Sequence, residues 1–165
     1  MSSILVHRAL DAFAASRKII NGMFEGIPAD QFCHQPCPGM NHALWTMGHL
    51  ATVDQYFLKR LAGQPETRFD EFRQMFFMKS RPLPSLSDYP PLAEVRVYFD
   101  QARMELLEWL RSLDDEQLAH PLPEPFDKFQ PNLTMLFGHL TWHEGFHAGQ
   151  LSVIRKSLGV TPVFG

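Results

Sequence analysis

Gly138-His139-Leu140-Thr141-Trp142-His143-Glu144-Gly145-Phe146-His147-Ala148-Gly149-Gln150 holds three of the chain's eight histidines, at steps of four. A four-residue step places side chains one above another on one face of a helix. Two imidazoles so placed can chelate a single metal ion. His139 and His147 stand about 12 Å apart along a helix axis, too far to share one. The chelating pair is therefore His139/His143 or His143/His147. The apolar period chooses between them, because Leu136, Leu140, Leu151, Ile154 and Leu158 recur at steps of three and four and mark the buried stripe. His147 falls near the centre of that stripe and His143 close by, whereas His139 lies roughly 80° away. Buried imidazoles need polar partners, and a metal ion supplies one.

Outward from this stretch, Pro and Gly divide the chain into four long helical patterns. The first spans about Ile4 to Phe24, with Leu5, Ala9, Phe13, Ile20 and Phe24 inward, and stops at Gly26-Ile27-Pro28. The second starts near Asn41 as cap and runs to about Leu61. Residues 64–89 form a long connection, in which the apolar patch Phe69 to Met78 suggests a short helix. The third is expected to open with Ser87/Asp88 as cap and Pro90/Pro91 in its first turn, and to run to about Leu113. The fourth begins after Pro131-Asn132 and ends at Gly159. No segment reads as a strand, so the expected fold class is all-α. Trp45-Thr46-Met47-Gly48-His49-Leu50 lines up with Met135-Leu136-Phe137-Gly138-His139-Leu140, and Ile27–His34 echoes Leu113–His120. This doubling implies a four-helix bundle built from two helical hairpins joined by the long connection.

The doubling also offers a third ligand. His49 shares the inward face of the second helix with Trp45, Val53, Tyr56 and Phe57. Three neutral imidazoles from facing helices suit Zn²⁺, Ni²⁺ or Fe²⁺, with a position left for water or substrate. His42 and His139 read as pocket-edge residues, and His7, His34 and His120 as surface or loop histidines. Trp45, Tyr56, Phe57 and Phe137 are first of all core packing. Glu144 sits about 100° from His143 and is expected to face a neighbouring helix or solvent rather than the metal. His143-Glu144-Gly145-Phe146-His147 also spells the zinc-protease motif H-E-x-x-H. No Asp, Glu or His follows His147 to complete it, and Val153 stands where the extended motif needs a third His, which argues against a protease.

Composition bounds the rest. With 45% hydrophobic and 20% charged residues, positions 1–165 read as one ordinary globular domain. A net charge of −3 without a Lys/Arg cluster argues against nucleic-acid and membrane partners. Arg8, Asp11 and Arg17 interrupt any secretory core near the start. Cys33 and Cys37, four apart beside prolines, make no disulfide scaffold and read as a loop. The expected location is the cytoplasm.

Pro38-Gly39…Leu44-Trp45…Gly48-His49-Leu50, followed by Trp142-His143-Glu144-Gly145-Phe146-His147-Ala148-Gly149-Gln150-Leu151, resembles the DinB/YfiT-like superfamily over nearly the whole chain. The resemblance implies a dimeric four-helix bundle holding one divalent metal ion (Zn, Ni or Fe). One ligand comes from the second helix and two from the last, which fall here on His49, His143 and His147. Gln150 belongs to the matching H-x-x-x-H-x-G-Q segment and joins His42, Trp45, Tyr56 and His139 as an expected pocket residue. Relatives include thiol-dependent transferases and isomerases, which implies a low-molecular-weight thiol presented to an electrophilic small molecule. A non-catalytic metal- or ligand-binding stress protein and a metal-assisted hydrolase are the alternatives.

Gly138, Gly145 and Gly149 lie within about 40° on the last helix, each costing roughly 1 kcal/mol against Ala. Such a stripe admits another backbone, either a helix of the same chain or a partner subunit. The implied homodimer favours the second.

Overall fold

Side-chain caps write most of the helix starts. Ser3 accepts from the Val6 amide, His42 Nδ1 from the Trp45 amide at 3.0 Å, and Asn132 from the Met135 amide. The computed structural model describes residues 3–63 and 69–163. It contains α1 (Ile4–Phe24), α2 (Ala43–Leu61), α3 (Phe69–Phe76), α4 (Leu92–Arg111), α5 (Asp115–Ala119) and α6 (Leu133–Ser157). Among the described residues there is no strand, only an isolated bridge between Pro121 and Asn132. The protein is all-α. No described helix is long and apolar enough to cross a membrane.

The starts of α2 and α4 differ from the sequence expectation. His42, not Asn41, caps α2, which frees Asn41 to bond with Gln150. Ser85 and Asp88 form a capping box, but it closes a separate short turn, Leu86–Asp88. Tyr89 then stays extended at φ −121° and ψ 160°, because a residue before proline is pushed out of the helical region, and α4 starts only after Pro91. α4 also ends at Arg111 rather than Leu113. The apolar patch Phe69 to Met78 is helical as far as Phe76, while residues 64–68 of the expected connection lie outside the described residues. α5 was not among the four expected helices; Asp114 and Gln117 close a capping box at its start.

Contacts along the helices give their directions. Phe13 meets Phe137, Ser16 meets Glu144 and Gly22 meets Arg155, so α1 and α6 run parallel. Arg17 over Phe99 and Arg103 over Phe13 make α4 antiparallel to α1. Asn41 with Gln150 and His49 with His143 make α2 antiparallel to α6. The pairs α1/α2 and α4/α6 are thus antiparallel, as hairpins require, while α2 and α4 run parallel, and the closest backbone packing joins α1 to α6 and α2 to α4. Parallel neighbours cannot be joined by a tight turn, which is why the α2–α4 connection is long enough to hold α3.

Two apolar clusters fill the interior. One gathers Ile20, Phe24, Leu44, Phe76, Phe99 and Ile154; the other gathers Phe13, Leu58, Leu106, Leu118, Leu136 and Leu140. Alongside them lies an ion network with one member from each long helix. Arg103 Nε and Nη2 reach Asp54 at 2.8 and 3.1 Å, and Arg103 Nη2 reaches Glu144 Oε1 at 3.1 Å. Arg17 Nη2 meets Glu144 at 2.9 Å and Asp54 at 3.3 Å, and the Ser16 hydroxyl donates to Glu144 Oε2. Glu144 therefore faces the neighbouring helices, as its wheel position implies. Each of the four charges holds a core position: Arg17 follows Phe13, Asp54 follows Leu50, Arg103 follows Phe99 and Glu144 follows Leu140, all by four residues. Burial lowers the Arg17 pKa to about 10, whereas Asp54 and Glu144 raise that of Arg103.

The glycine stripe of α6 is not packed against another helix. Among the described residues, no atom beyond the chain neighbours and the helix's own backbone lies within 4 Å of a Cβ built at Gly138, Gly145 or Gly149. On the same outward side, Met135, Trp142, Phe146 and Val153 are about half exposed or more, Trp142 reaching 60%.

Glu144→Ala strips two buried guanidiniums of a shared carboxylate. It should lower unfolding free energy by about 3–5 kcal/mol in urea titrations, the usual loss for one partner of a buried ion pair. A loss below about 1 kcal/mol would mean that water reaches the network.

Candidate metal centre

His49 comes from the middle of α2, and His143 and His147 from successive turns of α6. Antiparallel packing of the two helices turns the three imidazoles toward one point. His143 Nε2 stands 3.3 Å from His49 Nε2 and 3.0 Å from His147 Nε2, and one ring nitrogen of each residue lies within 4.8 Å of the other two. His49 and His147 are buried and His143 is half-buried.

The outer nitrogens of two rings are fixed. His49 Nδ1 is 2.8 Å from the Phe76 carbonyl, which can only accept, so the proton is on Nδ1 and Nε2 carries a lone pair. His147 Nδ1 is 2.9 Å from Gln150 Oε1, which also accepts from Asn41 Nδ2 at 3.3 Å. That assignment puts a second lone pair on His147 Nε2. A single proton on His143 Nε2 can satisfy only one of the two. A cation satisfies all three nitrogens together, and the second-site acceptors are those that orient metal-binding histidines. Two nitrogens bound at about 2.1 Å stand roughly 3.0–3.4 Å apart for angles of 90–110°. The observed separations of 3.0 and 3.3 Å fall in that range. The donor set thus fits a divalent ion.

Local electrostatics keep the rings neutral. Burial, and then the neighbouring histidines, lower the His143 pKa to about 3. Burial and His49 lower that of His147 to about 4, and burial also lowers His49. Trp45 stacks on the His49 ring at 4.5 Å and donates through Nε1 to Ser80 Oγ at 2.9 Å. α3 approaches closely enough to present the Phe76 carbonyl because position 48 is Gly: a Cβ there would overlap the Phe76 ring.

His49 and His143 also border an open cavity of about 280 Å³. Tyr56 and His139 line it. Gln150 and Trp45 instead contact the His147 and His49 rings from outside the cavity. His42 is not in the lining either: its Nδ1 is spent on capping α2 and its Nε2 lies 3.0 Å from the Leu83 carbonyl. Sequence reasoning missed the Phe76 carbonyl, which no side-chain pattern announces. It also missed Phe126 and Phe129, whose short turn before α6 covers one side of the cavity. Asn41 was legible only as a cap.

The histidines give metal-free protein an acid sensitivity of definite sign. An unfolded histidine titrates near 6.5, well above the folded values of about 3 and 4 for His143 and His147. Below pH 6.5 the unfolded chain therefore binds protons that the folded chain refuses. This contribution is fully present above 6.5 and is lost as pH falls toward 3. Urea midpoints of chelator-treated protein should drop between pH 7 and 4.5, and His143→Leu should make that slope shallower. An unchanged slope in the variant would show that His143 does not contribute to it.

No functionally curated protein matches the chain significantly. The sequence profile of the DinB superfamily matches residues 12–151, a span that takes in all three clustered histidines and most of α1 through α6. The chain belongs to the DinB superfamily.

Proposed function

We propose that the protein is a metal-dependent enzyme of the DinB type, in which His49, His143 and His147 hold one divalent ion and a small molecule reacts in the adjoining cavity. The observation that carries this reading is the convergence of two fixed Nε2 lone pairs on a third imidazole beside an open cavity. An ion bound there would supply Lewis acidity, lowering the pKa of a coordinated thiol or water so that a nucleophile exists at neutral pH. The protein's own part is to hold the rings. Phe76 and Gln150 keep the Nδ1 protons in place, Trp45 fixes the plane of His49, and low imidazole pKa values limit competition from protons. Membership of the superfamily supports a thiol-dependent transferase or isomerase acting on an electrophile.

Metal analysis of protein purified without an affinity tag tests the site. The wild type should carry about one Zn, Ni or Fe per chain, and His49→Ala, His143→Ala and His147→Ala should each lose most of it. His139→Ala should retain it. Full occupancy in the His143 and His147 variants would sink the site, and loss in His139→Ala alone would move the pair one turn toward the N-terminus.

The same reading includes a homodimer across the outward face of α6. Exposed Trp142 and Phe146 beside Gly145 and Gly149, with no described atom beyond the chain neighbours and the helix's own backbone within 4 Å of either glycine's Cβ position, support an isologous contact. Light scattering at micromolar concentration should give twice the chain mass, and Gly145→Leu should give monomers with near-normal unfolding. A monomeric wild type removes the dimer, and a dimeric Gly145→Leu moves the interface elsewhere.

A further inference from the structure

The cavity beside the histidines has a chemical character of its own. Val53, Phe57, Phe77, Phe126, Phe129 and Leu140 supply most of its wall. Its polar side chains are the imidazoles of His49, His139 and His143 and the Tyr56 hydroxyl; among the described residues no Lys, Arg, Asp or Glu lines it. The interior cations Arg17 and Arg103 are engaged by Asp54 and Glu144. Arg60 stands 6.0 Å from the Tyr56 ring centre, and it is exposed and outside the lining.

From these features we infer that the site takes an uncharged, aromatic or similarly apolar ligand whose single polar atom points at the His49/His143 end. The inference rests on the metal reading above and deepens it by naming the ligand class. An apolar cavity of about 150 Å³ holds benzene, so about 280 Å³ accommodates a ring with a side chain or a fused pair of rings. A carboxylate or phosphate lying along the wall away from the metal end would give up its hydration with no Lys or Arg of the described lining to meet it. Ring-on-ring contacts are available instead, since Tyr56, Phe77 and Phe126 already pack at centroid distances of 4.9–5.8 Å. His139 extends the polar end: its ring lies parallel to that of His143 at 6.4 Å and edge-on to Phe129 at 4.5 Å. Its imidazole is placed to hydrogen-bond a substituent on the bound molecule. Met78 lines the mouth and is 59% exposed, so its side chain can be changed with little effect on the core.

Isothermal calorimetry on metal-loaded protein decides the matter with two probes of one shape, benzyl mercaptan and 4-(mercaptomethyl)benzoate. They share the thiol and the ring and differ by one carboxylate. Benzyl mercaptan should bind at least tenfold more tightly. Val53→Phe, which fills the cavity, should weaken it at least tenfold at unchanged metal content. Met78→Lys, which cannot disturb the interior, should improve the carboxylate probe severalfold and narrow the gap. Loaded protein that binds both probes equally, or prefers the carboxylate, overturns this inference and leaves the metal reading standing. So does a metal-loaded Met78→Lys protein with the discrimination of the wild type. Protein that takes up no metal overturns both.

Discussion

A single guanidinium sets the height of one helix against another. Arg103 of α4 holds Asp54 of α2 with two nitrogens and Glu144 of α6 with one of them. Asp54 stands five residues after His49, and Glu144 directly follows His143. Whatever fixes the two carboxylates therefore fixes the three imidazoles. A slide of α2 by one turn, about 5.4 Å, would break the pairs of Asp54 with Arg103 and Arg17 and pull His49 out of reach of His143. Arg17 repeats the bridge from α1, so all four long helices share one register.

The energetic meaning of that network is specificity more than net stability. Four charges removed from water cost several kcal/mol each before their attractions are counted, and well-packed apolar residues often do as well. What apolar residues lack is direction, since a leucine tolerates a shift that a bidentate arginine does not. The guanidiniums also lie over aromatic rings, Arg17 at 3.8 Å from the Phe99 centroid and Arg103 at 4.5 Å from that of Phe13. Part of their lost hydration is returned there.

The histidine cluster and the cavity draw on different parts of the fold. The three imidazoles sit within two long helices, α2 and α6, where packing holds them. Part of the cavity wall comes from Phe77 and Met78 after α3 and from Phe126 and Phe129 before α6, all in the connections between the long helices. The geometry of the histidines can thus stay constant while the connections shape part of the space beside them, the usual split between scaffold and loop.

The sequence by itself determined the all-α class, the limits of α1 to the residue, most of α2 and α6, and the pairing of His143 with His147. These follow from local rules, because apolar period, capping side chains and Gly or Pro punctuation act within a few residues. His49 was legible too, as a histidine on a core face. The misplaced start of α4 was also local in origin: the extended Tyr89 before Pro90 delays α4, and a capping box can close a single short turn that does not grow into a long helix. Only the tertiary structure decided that α1 packs beside α6, that Arg17, Asp54, Arg103 and Glu144 meet, and that the Phe76 carbonyl holds His49. The four charges were each visible as an interruption of an apolar stripe, but an interruption does not name its partner across 37 to 127 positions of chain. A carbonyl has no residue identity at all. Its role comes from where the backbone passes, and a ring stacked against Gly48 brought it there.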